Sequence, residues 1–460
     1  MKKLKNRLFS PAIILLVIVF LVGCNSNQTS TNNQNEKKEI MQSDWSKNAN
    51  IYEVNIRQYT EEGTIKAFQK HLPRLKEMGV DILWLMPVFP VGELNRKGTL
   101  GSYYAVKDYQ DINPEFGNIN DFKELVKEAH NLGMYVILDW VANHSAWDNA
   151  WATEHPEWYE RDSAGKLVSP FDWTDVISFD YNNKEMRNAM TDALKFWITE
   201  ADIDGYRCDV AGMVPTDFWD NARDEMETIK PVFMLAEDED NPDLLRKAFD
   251  MNYGWKLHHM MNGIAKGEKN ANDIWDYFVW NDSVYPTKSY RMYFTSNHDE
   301  NSWNGTVKER MGDAAEAMAI LSYTVPGMGL IYSGQEAGLD KRLEFFEKDT
   351  INWEKMVYAD LYKTLNNLKK DNPALWNGEF GGSFERLGDG SNQYVYSFIR
   401  EKDGNKVIVL INMSNEPQSF TFADEMAYGN YTNAFTTETI VIEENTSIDL
   451  QPWKYLVLSK

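Results

Sequence analysis

Cysteine is almost missing from this chain: Cys24 and Cys208 are the only two among 460 residues. A disulfide framework is thereby excluded as the main support, and a chain of this length buries a sufficient core without one. Basic charge is also scarce, with 47 Lys and Arg against 70 Asp and Glu and a formal net charge of −23. Recognition of a phosphate backbone needs a basic surface, so nucleic-acid binding is excluded. The apolar run near the N-terminus, Ala12 to Val22, is shorter than the ~20 residues that a membrane-crossing helix needs. What is present is an ordinary globular balance, with 43% hydrophobic and 25% charged residues.

Lys2, Lys3, Lys5 and Arg7 precede the apolar run, which ends in Leu21-Val22-Gly23-Cys24. That ending resembles a bacterial lipobox. Residues 1–23 are therefore expected to be a lipoprotein signal peptide, with Cys24 as the cleavage and lipidation point; the alternative is a retained N-terminal anchor helix. Asn, Gln, Ser and Thr dominate 25–39, so residues 24–44 read as a polar tether. The expected location is the bacterial cell envelope, lipid-anchored in the periplasm or at the outer membrane. The run after Cys24 lacks an acidic cluster, which favours the periplasmic side.

Between residues 50 and 375, short apolar runs alternate with helical patterns, as repeated β/α units do. Candidate strands are 51–56, 81–86, 134–139, 205–209, 233–237, 249–253, 292–296 and 329–332. They predict a closed (β/α)8 TIM barrel over 45–375. Helices are expected over 64–78, 121–132, 184–200, 216–229, 308–323 and 353–370. The stretch 145–180, rich in Trp, Asp and Pro, is far longer than an ordinary βα loop of about 2–6 residues. It reads as a small subdomain inserted after strand 3. From about 379 onward the helical pattern stops, and runs at 393–398, 406–411, 418–422, 438–441 and 455–458 predict a C-terminal antiparallel β-sandwich over 379–460.

Four polar clusters sit at the ends of four of these strands: Asp139-Trp-Val-Ala-Asn143-His144, Asp204-Gly-Tyr-Arg207-Cys-Asp209, Phe233-Met-Leu-Ala-Glu237 and Phe294-Thr-Ser-Asn297-His298-Asp299. One acid after a strand commonly caps the next helix. Four in register are hard to explain by capping, because the C-terminal strand ends of a barrel converge on one face. Arg207 and Asp209 are two apart and share a strand face, so the guanidinium is expected to keep Asp209 ionised. Cys208 points the other way, into inert packing. Glu237 follows Met234-Leu235-Ala236, an apolar approach expected to raise its pKa. One ionised and one protonated carboxyl are what glycoside hydrolysis needs. Asp299 is a third carboxylate, suited to stabilising positive charge on a sugar ring. His144 and His298 offer hydrogen bonds to hydroxyls. Sixteen tryptophans and 23 tyrosines supply flat faces that suit sugar rings, although packing accounts for most of them.

These motifs resemble the α-amylase superfamily of glycoside hydrolases, family 13, over roughly residues 48–460. The resemblance implies that Asp209 is the nucleophile, Glu237 the general acid/base and Asp299 the transition-state stabiliser. It further implies that Arg207 positions Asp209, that His144 and His298 bind the sugar, and that Asp139 supports the site from behind. Gly101-Ser-Tyr-Tyr104-Ala-Val-Lys-Asp108-Tyr109 is similar to the stretch whose aromatic, here Tyr104, stacks on that sugar. The implied activity is a retaining, α-amylase-like hydrolysis of α-1,4 bonds in starch-derived glucans and maltooligosaccharides. An exo-acting α-glucosidase, a cyclomaltodextrinase and a 4-α-glucanotransferase share the same residues, and an inactive glucan-binding lipoprotein is the alternative from another class. Members with the usual structural calcium carry histidine where Met213 stands, although Asn143 is present and Asp172 or Asp175 offers a carboxylate. The first βα loop, Tyr59-Thr-Glu-Glu-Gly63, lacks an Asp/Asn-rich metal loop. The chemistry itself requires no cofactor.

Overall fold

The computed structural model describes residues 43–460. The expected signal peptide, Cys24 and nearly all of the tether lie outside the described residues. Among those residues, no helix is long and apolar enough to cross a membrane.

Ten strands precede the C-terminal region: β1 (Ile51–Val54), β2 (Ile82–Leu85), β3 (Tyr135–Trp140), β4 (His144–Ala146), β5 (Val176–Ser178), β6 (Gly205–Cys208), β7 (Phe233–Ala236), β8 (Met251–Tyr253), β9 (Tyr290–Tyr293) and β10 (Met328–Tyr332). Eight of them form a closed parallel barrel in the order β1-β2-β3-β6-β7-β8-β9-β10, with β10 pairing back to β1. The strands are buried on both faces, which explains their near-continuous apolar runs. Residue parity separates the two faces. Tyr52, Leu83, Val136, Tyr206, Cys208 and Met234 pack outward against the helices. Ile51, Trp84, Ile137, Phe233, Leu235 and Met292 fill the interior. Gly205 opens β6 with φ +154, and a Cβ there would lie 1.8 Å from the Phe233 carbonyl oxygen, so only glycine lets β6 and β7 approach this closely. Below the barrel, Trp45 stacks on Tyr135 at 3.9 Å and covers the N-terminal end.

The helical layer departs from the sequence expectation at three breaks. The helix expected over 64–78 is two short ones, Ile65–Gln69 and Leu72–Glu77. Pro73 lacks the N–H that would bond back to residue 69, so the helix restarts around it. The helix expected over 308–323 is divided into Val307–Met311 and Ala315–Thr324 by Gly312 at φ +53. The last expected helix begins late, at Ala359, and runs to Asp371. Helices Trp255–Ala265 and Ala271–Val284 were not legible as such.

The stretch after β3 forms a small unit of its own, in which β4 pairs antiparallel with β5 around a short helix, Ala150–Glu154. The C-terminal region carries β11 (Glu385–Arg386), β12 (Val395–Lys402), β13 (Asn405–Asn412), β14 (Gln418–Thr421), β15 (Gly429–Asn433), β16 (Thr439–Ile442), β17 (Ser447–Leu450) and β18 (Tyr455–Ser459). Six of these make one antiparallel sheet, and β14 and β17 make a two-stranded ribbon. In β13, Val407, Val409 and Ile411 join the core shared with the barrel, while Ile408 and Leu410 join the core under the ribbon. The strand is thus covered on both faces, and its sequence is apolar from Val407 to Ile411.

Candidate active site

The inward parity of the barrel strands ends, at the C-terminal face, in polar groups: Glu53 on β1, Asp139 on β3, Arg207 on β6, and Asp209 and Glu237 just past β6 and β7. Arg207 is fully buried and forms the hub. Its Nη1 donates to Asp139 at 2.9 Å and to Asp209 at 3.0 Å, and its Nε donates to the Tyr253 hydroxyl at 3.1 Å. Nη2 lies 2.9 Å from Glu237 Oε1, an ion pair that misses hydrogen-bond alignment. The guanidinium also rests over the Trp84 ring at 5.0 Å.

Immediately past Asp209 the chain makes an unfavourable turn. Val210 adopts φ +37, a conformation that β-branched residues avoid. The turn aims the Val210 N–H at Glu237 Oε2, 2.8 Å away. Strain here serves to hold a carboxylate.

The protonation pattern corrects the sequence expectation for both carboxyls. Burial and the neighbouring Glu237 charge push Asp209 well above the usual aspartate range, against the pull of Arg207. Burial also works to raise Glu237, but Arg207, the Val210 N–H and the His298 charge outweigh it and leave Glu237 below its ordinary value. Parity supplies the reason. Met234 and Ala236 face the helical layer, so the apolar approach read from the sequence does not enclose the Glu237 carboxyl. Arg207, meanwhile, is shared among three carboxyls and cannot keep Asp209 charged on its own. Burial thus favours the neutral form of Asp209, while Arg207 and the Val210 N–H favour the charged form of Glu237.

The two histidines differ in charge. Burial lowers His144 to about 3, which leaves a neutral ring. His298 is also buried, but Asp299 and Glu53 outweigh the burial and raise it to about 9. Its Nδ1 lies 2.5 Å from Glu53 Oε1 and its Nε2 lies 2.8 Å from the Tyr104 hydroxyl. That hydroxyl also donates to Asp139 at 3.1 Å, and the Tyr104 ring stacks on His298 at 5.6 Å.

These groups line a cavity of about 440 Å³ that takes in Tyr104, His144, Asp209, Glu237, His298 and Asp299. All three expected carboxyls and the three expected sugar-facing rings thus meet in one space. Asp139 and Arg207 lie beneath it. Several contributors went unread in the sequence. Glu53 and Trp84 lie inside predicted strands with no polar cluster to mark them; Trp84 Nε1 donates to Asp139 at 3.1 Å. Trp303, 51% exposed, stands on a π-helical turn, Glu300–Asn304, directly after Asp299. It meets Phe345 at 5.2 Å. Glu300 itself is held down to about 2; burial opposes this, and His258 overcomes it. The polar parity of Glu53 inside an apolar strand was the one available signal.

Of the residues that the resemblance offered for calcium, a hard cation that binds oxygen ligands, two are already unsuitable or engaged. Met213 presents a thioether, the Asn143 amide faces His144 Nδ1 at 3.2 Å, and the Asp175 carboxylate is taken by Lys97 Nζ at 3.2 Å. Among the described residues, no group of three or more His, Cys, Asp or Glu is placed to hold a metal.

A closed barrel that gathers paired carboxyls, an arginine hub and a stacking tyrosine at its C-terminal face defines a glycosidase of the TIM-barrel class. The comparisons narrow this. The α-amylase catalytic domain model matches residues 25–178 and 157–386, and the maltogenic amylase C-terminal domain model matches 387–457. The chain belongs to the α-amylase family. It is similar to the solved α-amylase from Lactobacillus plantarum, at 31% identity and a TM-score of 0.81, covering 90% of this chain and 99% of that one. It is similar also to the solved noncanonic maltogenic α-amylase AmyB from Thermotoga neapolitana, at 30% identity and a TM-score of 0.82, covering 90% and 98%. Against α-amylase MalA of Haloarcula japonica it is 27% identical over 413 residues, 85% of this chain and 60% of the length of MalA.

Proposed function

We propose that the chain hydrolyses α-1,4-glucosidic bonds in starch-derived glucans and maltooligosaccharides with retention of configuration. The observation that carries this reading is that one buried guanidinium holds both carboxyls, Asp209 on Nη1 at 3.0 Å and Glu237 on Nη2 at 2.9 Å. Two carboxyls held on the two terminal nitrogens of one guanidinium suit the pair of a retaining enzyme, about 5–5.5 Å apart, better than the ~6.5–9.5 Å separation of an inverting one. With a sugar in the cavity, Glu237 in its protonated form faces the glycosidic oxygen and Asp209 faces the anomeric carbon. Glu237 then protonates the glycosidic oxygen while Asp209, ionised, attacks the anomeric carbon. Release of the leaving group leaves a glycosyl ester on Asp209 and a charged Glu237. Glu237 next takes a proton from water, whose oxygen displaces Asp209 and regenerates the pair. Asp299 and the Tyr104 ring face the sugar as it becomes oxocarbenium-like. His144, neutral, and His298, charged, hold its hydroxyls.

This chemistry calls for no metal; dialysis against EDTA is expected to leave the rate unchanged, and a lost rate restored by calcium would contradict that. The tether and Cys24 favour a lipid anchor in the cell envelope, facing the periplasm. Palmitate labelling of the full chain, abolished by Cys24→Ala, tests the anchor. Product profiles on soluble starch, maltotriose, cyclodextrin and pullulan test the activity. Release of maltose and glucose from starch and maltotriose is expected. Dominance of longer disproportionation products would overturn hydrolysis in favour of glucan transfer.

A further inference from the structure

A larger cavity, about 680 Å³, lies between the barrel helices Val307–Met311, Ala315–Thr324 and Ala359–Asp371 and the turn that precedes β18. It shares no lining residue with the catalytic cavity. Its walls combine rings and aliphatic surface, from Trp453, Tyr358 and Leu361, with polar groups from Gln335 and Glu316. At its rim, Lys308 and Asp340 pair at 2.9 Å with side chains 75% and 45% exposed, so the mouth is open to solvent.

Trp453 is the anomaly. The Lys454 N–H donates to the Gln451 carbonyl at 3.0 Å, which closes a β-turn with Pro452 and Trp453 at its centre. Trp453 adopts φ +56 there. With proline second, a positive φ in the third position is the type II arrangement, which favours glycine. A bulky residue at this place opposes the local preference of the chain. Its backbone is fixed further by an N–H bond to the Ser414 carbonyl at 3.1 Å, and its half-buried ring lines the cavity.

The lining carries two cations, Lys308 and Lys454, against three carboxylates, Asp313, Glu316 and Asp340, a net charge of −1. Lys308 is neutralised by Asp340, and Glu316 accepts from the Tyr455 hydroxyl at 2.5 Å. The remaining Asp313 and Lys454 are of opposite sign. An anionic ligand finds no net attraction here, and the one excess carboxylate, Glu316, is already bonded by Tyr455. A neutral ligand with flat C–H faces and many hydroxyls finds a ring to stack on and polar groups to bond. We propose that this cavity is a second binding site for a neutral α-glucan segment, with Trp453 as its platform. The choice of glucan rests on the proposed function; the neutral oligosaccharide class rests on the cavity alone.

Trp453→Gly tests it, because glycine removes the ring and suits the turn, so the variant is expected to fold and to melt no lower than the parent. Loss of one stacking contact is expected to raise half-saturation for soluble starch by about 5–10-fold while maltotriose kinetics stay unchanged. Calorimetric titration of the Asp209→Asn full chain with maltoheptaose is expected to show two sites, reduced to one when Trp453→Gly is added. An equal rise for starch and maltotriose, or an unchanged number of sites, would overturn the proposal. If neither substrate is hydrolysed, the proposed function fails on its own, and the titration still decides this site.

Discussion

On one side of the catalytic cavity, Asp139, Arg207, Asp209 and Glu237 project from the ends of three adjacent strands and are tied by ion pairs of 2.9–3.0 Å. On the other, Tyr104, Phe345 and Trp303 come from long connections and meet through ring contacts of 5.2–6.3 Å. The first side is buried and crowded with like charge. The second is partly open, and apolar. Groups that do bond chemistry need fixed positions and tuned protonation, which strand ends and a shared guanidinium supply. Groups that grip a substrate of variable length need area and tolerance, which rings on loops supply.

Substitutions on the two sides should therefore fail differently. The largest effect belongs to the carboxyl pair: Asp209→Asn is expected to reduce kcat by about 10⁴-fold or more, and Glu237→Gln by about 10²–10⁴-fold. Neither is expected to lower Tm, since each relieves a crowded acidic cluster. Steady-state kinetics with thermal melts checks both.

Arg207→Met comes next. It strands three carboxyls around an apolar side chain, and breaking a buried ion pair from one side destabilises by about 3–5 kcal/mol. The deficit has a sign in pH. Without the guanidinium, the carboxyl pKa values in the fold rise above their unfolded values, so the folded chain binds more protons. The loss is then greatest near neutral pH and shrinks as pH falls. Denaturant melts at pH 7 and pH 5 read this; a deficit that grows on acidification would contradict it.

Glu53→Gln tests how the charged wall is supported. Glu53 and Asp299 together hold His298 charged up to about pH 9. Removal of the Glu53 charge is expected to move the His298 titration, followed by proton NMR, toward lower pH, and an unmoved titration would show that Asp299 alone sets it. The smallest effect is expected on the aromatic side. Trp303→Ala is expected to raise KM for maltooligosaccharides by about 2–10-fold with little change in kcat, because it removes stacking area and no reacting group. A large fall in kcat would erase the difference between the two walls.

How much of this was legible in the sequence follows the same division. All eight barrel strands were readable because burial on both faces leaves short apolar runs between polar clusters, and β8 was found although it is brief. The carboxyls were readable because parity and strand ends place them without reference to any distant residue. What the sequence misjudged were quantities set by neighbours far along the chain. Asp209 is drawn up and Glu237 down, opposite to the expectation, because burial acts on Asp209 while Arg207 is divided among three partners and Val210 lends Glu237 an N–H. Glu53 was missed because its partner, His298, lies on the opposite side of the barrel closure. Trp303 and Phe345 were missed because an aromatic on a loop carries no periodicity. Helix breaks at Pro73 and Gly312 were local and were available to a closer reading.

In the proposed double displacement, Asp209 and Glu237 act as a pair held by one guanidinium. Proton NMR of the fresh products of maltotriose hydrolysis, recorded before mutarotation, tests this displacement most directly. Double displacement requires the newly formed reducing end to appear as the α-anomer; first appearance of the β-anomer would contradict it.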